Sequence, residues 1–130
     1  MKPYRVLVTG SRDWPTPATV WNALNNCRHE GLLAGRHLVV VHGACPNGAD
    51  AHASRWCETA TQFAVDGVTE EAHPANWQLN GKRAGFIRNQ LMVNLGADVC
   101  VAFIRNGSRG ASHTALIAEE AGIPTRRFTA

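Results

Sequence analysis

Three glycine-containing segments of this chain carry residue types that bind phosphate and sugar groups. They are TGSRDW (9–14), HGACPNGAD (42–50) and NGSRGASHT (106–114). Together with Arg88 they supply guanidinium groups, which bind phosphate through paired hydrogen bonds. They also supply hydroxyl groups, which form hydrogen bonds with both phosphate and sugar groups. The pattern indicates an anionic ligand such as a nucleotide. The alternative is a set of ordinary turns, in which the glycines only permit positive φ and the arginines only meet solvent.

Three further side chains near these segments each allow two interpretations. Asp50 falls in the first turn of a predicted helix, where a carboxylate either caps backbone N–H groups or accepts hydrogen bonds from ribose hydroxyls. Trp14 and Trp77 fall in predicted loops, where an indole either packs into the protein or stacks on a base. The sequence leaves both alternatives open for each residue.

Other kinds of site are not supported by the spacing. No segment matches the GxGxxG dinucleotide fingerprint or the GxxxxGK[ST] phosphate loop, and no Ser-His-Asp arrangement has the context of a nucleophile elbow. The series His42, Cys45, His52 and Cys57 does not have the spacing of a common zinc site, and its last two members lie five apart on a predicted helix. We therefore expect neither a metal nor a cofactor.

A strand near the centre of the chain must position the second segment. Residues 38–41 are apolar and rich in valine, which is typical of a strand that is covered on both faces. Small and turn-forming residues follow, and the pattern becomes helical from Ala49. This order brings a helix N-terminus next to the loop, an arrangement that favours anions.

The same alternation of strand and helix covers the rest of the chain. Strands are predicted at 4–8, 37–41, 68–73, 98–104 and 125–128, and the third is polar enough to be an edge strand. Helices are predicted from Pro17 to near Gly31, from Ala49 to about Phe63, from Gly81 to Leu95 and from about Ser112 to Ala121. The core face of the third helix is assigned to four apolar residues: Phe86, Ile87, Leu91 and Leu95.

This alternation predicts an α/β fold with a five-stranded parallel sheet in the order 3-2-1-4-5 and helices on both faces. In such sheets, ligands bind beyond the carboxyl ends of the strands, at the point where the strand order reverses. The three glycine-containing segments then meet at one crevice. Their convergence makes one predicted site out of three turns that are unspecific individually.

The composition fits one globular domain over residues 1–130. The chain is 45% hydrophobic and 18% charged, and its formal net charge is +3. This mild, scattered basic excess does not indicate a nucleic-acid surface. No apolar stretch reaches the roughly 18 residues of a membrane helix, and the four cysteines form no CxxC pair. We expect a cytoplasmic protein with reduced thiols and no membrane partner.

Five motifs, in their order and spacing, resemble the YspA branch of the SLOG superfamily, which is named for DNA-processing A proteins and the LOG cytokinin-activating enzymes. They are VTGSRDW, VVHGACPNGAD, HPANW, GKRAGFIRNQLM and AFIRNGSRGASHT. The resemblance spans residues 4–128 and implies a single Rossmann-like domain that binds or senses a nucleotide or nucleotide-derived ligand, in phage or bacterial signalling or conflict. It implies ligand contacts at Gly10, Ser11, Arg12, Gly43, Gly48, Asp50, Arg88, Asn89, Gly107, Ser108, Gly110 and Ser112.

The resemblance also implies an enzymatic alternative, which is hydrolysis of the N-glycosidic bond of a nucleotide, as in the LOG phosphoribohydrolases. Residues 88–92 keep a version of the RKxxM motif of those enzymes. In their PGGxGTxxE motif the glutamate position is taken here by Thr114, and a threonine cannot supply the acid, base or charge that the reaction requires. A binding module is therefore the leading hypothesis. The catalytic residues are unknown, with Arg88, His113 and Glu119 as candidates.

Two kinds of partner follow from these hypotheses. The first is a nucleotide-like small molecule. The family context adds the possibility that this molecule is a host signalling nucleotide, which the protein sequesters. The second is another copy of the chain, because members of the superfamily often associate and the apolar helix faces suit either a core or a dimer seam. The base, the number of phosphates and the oligomeric state are not identified by the sequence.

Overall fold

A computed structural model describes residues 2–130 and shows the predicted parallel sheet. Five strands pair in the order β3-β2-β1-β4-β5, and every pairing is parallel. This confirms the predicted α/β class and strand order. The strands are β1 (Tyr4–Gly10), β2 (Leu38–His42), β3 (Val68–Ala72), β4 (Val99–Ile104) and β5 (Thr125–Thr129).

Helices cover both faces of the sheet, as the alternation predicts. They are α1 (Pro17–Leu33), α2 (Gly48–Gln62), α3 (Trp77–Asn80), a 3-10 turn (Gly81–Arg83), α4 (Ala84–Leu95) and α5 (Arg109–Glu120). On one face, α1 and α2 pack against alternate residues of the central strands, with Leu24 and Trp56 in the interior. On the other face, α4 and α5 enclose Leu7, Val41 and Cys100. Two hydrophobic layers therefore fix the sheet between them.

Burial along the strands explains why their sequences differ. Every residue of β2 and of β4 is buried, and both strands read as continuous apolar runs. By contrast, β3 and β5 lie at the two edges of the sheet and have no buried residue. The predicted edge position of the third strand is confirmed. The buried strands end in the loops that carry the candidate site residues.

Two element boundaries differ from the sequence prediction. The last helix begins at Arg109 rather than near Ser112, so Gly110 and Ser112 are helical residues and not loop residues. Trp77 begins a short helix rather than lying in a loop, because the Asn76 side chain accepts a hydrogen bond from the Leu79 N–H at 3.0 Å and caps that turn.

The predicted core face of α4 is wrong. The four apolar residues assigned to it are between 43% and 51% exposed: Phe86, Ile87, Leu91 and Leu95. The buried residues of this helix are instead Ala84, Arg88, Asn89, Met92 and Val93. The hydrophobic pattern misleads here because α4 turns a polar pair inward and an apolar stripe outward. Buried polar residues are uncommon, so the inward face of α4 is not explained by hydrophobic packing alone.

Within residues 2–130, no helix is both long enough and apolar enough to cross a membrane. The four cysteines are all free, and three of them, Cys27, Cys57 and Cys100, are buried in the hydrophobic layers. Cys45 is the exception, because it is only partly buried and lies in the loop after β2.

Candidate functional site

A cleft of about 400 Å³ lies at the carboxyl ends of β1 and β2, beside the point where the strand order reverses. One wall comes from the end of β1 and the loop after it, a second from the loop after β2 and the first turn of α2, and a third from α3 and α4. The start of α5 completes it through Ser108, Gly110 and Ala111. A cleft in this place is where open α/β sheets bind their ligands.

The structure brings eight of the twelve predicted contact residues to this cleft, and the three glycine-containing segments all reach it. The eight that line it are Gly10, Arg12, Gly43, Asp50, Arg88, Asn89, Ser108 and Gly110. The remaining four, Ser11, Gly48, Gly107 and Ser112, are not part of its lining.

Ser11 and Gly48 have structural positions that explain their distance from the cleft. The buried Ser11 hydroxyl accepts a hydrogen bond from the Arg105 N–H at 2.8 Å, and the Ser11 carbonyl accepts one from the Ala49 N–H at 3.3 Å. Gly48 has a φ of +73°, and a Cβ on it would lie 2.2 Å from that same Ser11 carbonyl. These two residues hold the β1 and β2 loops together.

Arg88 is the central cation of the cleft. Its side chain is only 9% exposed, and its Nη1 donates to the backbone carbonyls of Gly43 and, at 3.3 Å, of His73. Its Nε donates to the Asn89 side chain at 2.6 Å. Among residues 2–130, no hydrogen-bond acceptor meets its Nη2, which leaves one donor group of a buried guanidinium available to a ligand.

Gly43 is required for this arrangement of Arg88. A Cβ at position 43 would lie 2.6 Å from the guanidinium carbon, so any larger residue displaces the arginine. The loop after β2 therefore does two things at once: its glycine admits the guanidinium, and its carbonyl fixes the direction in which the guanidinium points.

Asp50 is the anionic counterpart of Arg88. It lies in the first turn of α2, is 6% exposed, and accepts a hydrogen bond from the Cys45 N–H at 3.3 Å. Burial raises the pKa of the Asp50 carboxyl above its ordinary value, although His42, the Cys45 N–H and Arg88 oppose that rise. One buried acid and one buried base thus line the same cleft.

Cys45 lies beside Asp50 and lines the cleft as well. Burial, followed by the negative charge of Asp50, raises the pKa of the Cys45 thiol. A thiol in this state is protonated at neutral pH and is a poor nucleophile. The arrangement therefore does not support thiolate catalysis.

His42 supports the cleft from behind. It is fully buried, and its Nδ1 accepts a hydrogen bond from the Ala44 N–H at 3.0 Å. Its Nε2 lies 2.6 Å from a carboxylate oxygen of Glu70, within hydrogen-bond distance. His42 thus ties the loop after β2 to the neighbouring edge strand β3.

The two tryptophans that were candidates for base stacking have different environments. Trp14 is buried, packs against Phe103 with ring centroids 5.4 Å apart, and donates its indole N–H to the Thr16 carbonyl at 3.1 Å. Trp77 is 50% exposed and lines the cleft. The guanidinium of Arg12 lies over its ring at 5.7 Å from the centroid. Only Trp77 is placed to meet a ligand.

Thr114 stands where the LOG motif has its glutamate, and His113 and Glu119 are the candidates to replace it. None of these three residues presents a carboxylate to the cleft. Thr114 is fully buried, and its hydroxyl donates to the Gly110 carbonyl one turn earlier at 3.0 Å. His113 is exposed and packs against the edge of Phe86. Glu119 lies nine residues beyond Gly110, which is roughly 14 Å along the helix, and is paired with Arg127. The acidic side chains that do line the cleft are Asp13 and Asp50.

Sequence reasoning missed several residues of the lining, among them Cys45, Lys82, Phe86, Met92 and Ala111. The helical spacing of α4 contained a usable signal. Residues 85, 88, 89 and 92 recur at intervals of three and four, so they share the face that carries the arginine. Starting from Arg88 rather than from the apolar residues finds the correct inward face.

Comparisons with known proteins agree with the motifs. A sequence model of the family described as "YspA, cpYpsA-related SLOG family" matches residues 4–79. The chain is also similar to the Gene 61 protein of Mycobacterium phage D29, with 46% identity over 124 residues that cover 95% of each chain. No solved structure matches it at a significant level.

Proposed function

This chain belongs to the YspA and cpYpsA-related SLOG family, and from that premise we propose that it binds a nucleotide or a nucleotide-derived ligand in the cleft at the carboxyl edge of its sheet. The observation that carries the proposal is a pair of buried ionisable side chains, one basic and one acidic, in one cleft. Arg88 offers a free guanidinium donor and Asp50 offers carboxylate acceptors. Buried charges of this kind are found where a ligand or a reaction requires them.

Arg88 and Asp50 bind different parts of the ligand. A phosphate lies between Nη2 of Arg88 and the first turn of α5, where the backbone N–H groups after Ser108 are directed at an anion. The ribose hydroxyls then donate hydrogen bonds to Asp50. Phe86 and Trp77 supply aromatic surface for the base.

Asp50→Asn tests this assignment with a panel of the four common nucleoside 5′-monophosphates. We expect the variant to fold with an unchanged or higher melting temperature, because the buried carboxylate is replaced by a neutral group of the same shape. We expect its affinity for the best ligand to fall at least tenfold, since a hydrogen bond to a charged acceptor contributes about 1.5–3 kcal/mol. Isothermal titration calorimetry measures the dissociation constant of the ligand for the wild type and for the variant.

Asp66→Asn is the matched control, because Asp66 is exposed and is not part of the cleft. It should bind like the wild type. Equal affinity of Asp50→Asn and the wild type would remove Asp50 from the site. Absence of binding by the wild type across the whole panel would contradict the proposed function itself.

Hydrolysis of the N-glycosidic bond is the second candidate function, and the raised pKa of Asp50 is the observation that favours it. A raised carboxyl pKa is the direction of shift that suits a general acid, and Asp50 would take this role from a different element than the absent glutamate. Chromatography of the incubated monophosphates separates the two functions. Release of free base shows the enzyme, whereas unchanged ligand together with binding shows the sensor or sequestering protein.

The outward face of α4 supports self-association with a second copy of the chain. Ile87, Leu91 and Leu95 form an exposed stripe at intervals of four. Arg88, the one charged residue of α4, is buried, so this face carries no charge that opposes an identical face. Contiguous apolar surfaces of this kind are rare on monomers, and a two-fold dimer buries the same patch on both copies.

Leu91→Glu is expected to convert the dimer to a monomer, because the new carboxylates meet each other across the two-fold axis. Size-exclusion chromatography with light scattering should give the wild type twice the 14.1 kDa mass of one chain, and should give the variant that mass once. Leu33→Glu, at an exposed leucine that ends α1, is the control and should leave the dimer intact. A monomeric wild type at micromolar concentration would contradict the interface.

A further inference from the structure

A second cavity adjoins the main cleft. It has a volume of about 350 Å³ and is bounded by the loop after β2, through Pro46 and Asn47, and by the loop after β3, through Pro74 and Ala75. Each of the two cavities is at the small end of the range for ligand pockets, which is about 300–1,000 Å³. The two cavities share five lining residues, which are Arg12, Gly43, Cys45, Trp77 and Arg88.

Two arginines and a tryptophan lie at the boundary between the two cavities. Arg12, Trp77 and Arg88 line both cavities, so they lie at the boundary. Arg12 is exposed and rests on the ring of Trp77, whereas Arg88 is buried beneath. A cation held only by an exposed aromatic contact moves at little cost, since such contacts contribute about 0.5–1 kcal/mol.

The charges of the two cavities differ in a way that selects a ligand. The main cleft contains carboxylates, from Asp13 and Asp50, and the amine of Lys82 in addition to the two boundary arginines. The lining of the second cavity contains no acidic residue within the described part of the chain, and its charged groups are the two boundary arginines. The charged groups of the second cavity thus lie at its boundary with the main cleft, and the rest of its lining is uncharged. Two guanidinium groups on one boundary fit two linked phosphates better than one.

From this geometry we propose that the ligand is a diphosphate that joins two sugar-bearing halves. One half occupies the main cleft with its phosphate at Arg88 as proposed above. The second phosphate lies on the Arg12 side of Arg88, and the second half occupies the cavity between Pro46 and Ala75. This inference rests on the proposed nucleotide-binding function and deepens it, because it assigns the second cavity as a subsite.

Matched ligand pairs test the second subsite in the full-length protein. Calorimetry is run with AMP against ADP-ribose and with UMP against UDP-glucose, so that each pair shares a base and differs by the added half. We expect the longer member of the preferred pair to bind at least tenfold more tightly. Ala75→Phe, which fills the second cavity, should reduce that advantage to less than twofold and leave the affinity for the monophosphate unchanged.

Asn47→Phe provides an independent variant on the opposite wall. Asn47 is exposed and its side chain makes no capping hydrogen bond to α2, so the substitution does not disturb that helix. Equal affinities within each pair for the wild type would overturn the second subsite and leave the proposed function standing. A loss of monophosphate binding in both filled variants would also overturn it. If no member of either pair binds, the proposed function fails and the subsite fails with it.

Discussion

Arg88→Ala is expected to lower the free energy of unfolding by about 3 kcal/mol and to abolish any stabilisation by nucleotides. The large effect on the apo protein follows from burial. The guanidinium satisfies the carbonyls of Gly43 and His73, and its removal leaves buried acceptors without a donor and a cavity behind them. Urea unfolding measures the first effect, and the shift in melting temperature with ligand measures the second.

Two further variants separate the contributions of charge and shape. Arg83→Ala removes an exposed arginine that precedes α4, and it should change neither stability nor ligand response. Arg88→Lys keeps the charge but has no second planar donor, so it should recover part of the stability and little of the ligand response. A full ligand response in Arg88→Ala would show that the buried guanidinium serves only to hold the loops.

The fold was predictable because its signals are local and redundant. Apolar runs at Leu38–His42 and Val99–Ile104 are long enough to indicate buried strands, and the intervening helical patterns require parallel crossovers. Once five strands alternate with helices, few sheet orders are compatible with right-handed connections. The order 3-2-1-4-5 is one of the few that these constraints allow, and the structure has it.

The orientation of α4 was not predictable in the same way. Hydrophobic periodicity places Ile87, Leu91 and Leu95 in the core, since a buried apolar stripe is the usual solution. The structure instead buries Arg88 and Asn89, and the energetic cost is offset by hydrogen bonds from the arginine to backbone carbonyls that only the folded loops provide. No local pattern encodes such long-range partners, so hydrophobic periodicity gives the wrong face, and only the spacing of the cleft residues around Arg88 indicates the correct one.

The candidate site shows the same division between local and long-range information. Its loops follow from strand ends and glycines, which are visible in the sequence. The roles of Ser11 and Gly48 are not visible, because they depend on a contact between the loops after β1 and β2 that are 37 residues apart in the chain. Ser11 and Gly48 hold the walls of the cleft in place and do not line it. Their motifs contain the same glycine and hydroxyl residues as the segments that line the cleft, so the sequence does not distinguish the two roles.

Gly48→Ala provides the strongest test of that structural role. The φ of +73° alone costs about 1–2 kcal/mol for alanine, and the new Cβ would lie 2.2 Å from the Ser11 carbonyl oxygen and 2.7 Å from the Arg12 Cα. Both contacts are to backbone, which cannot rotate away, so the loop that carries Arg12 must shift. We expect a total loss of about 4 kcal/mol or more in the free energy of unfolding, measured by urea denaturation, which puts the substitution among the most damaging single changes.

Gly107→Ala separates the strain of positive φ from the collision between loops. Gly107 has a φ of +63°, but a Cβ there would meet no atom within 4 Å. It should therefore lose only the roughly 1–2 kcal/mol of backbone strain. If the two variants lose equal stability, the close approach of Gly48 to Ser11 contributes nothing, and the loops after β1 and β2 are not fixed to each other. A larger loss in Gly48→Ala means that this contact holds Arg12 at the junction of the two cavities, where the diphosphate is proposed to bind.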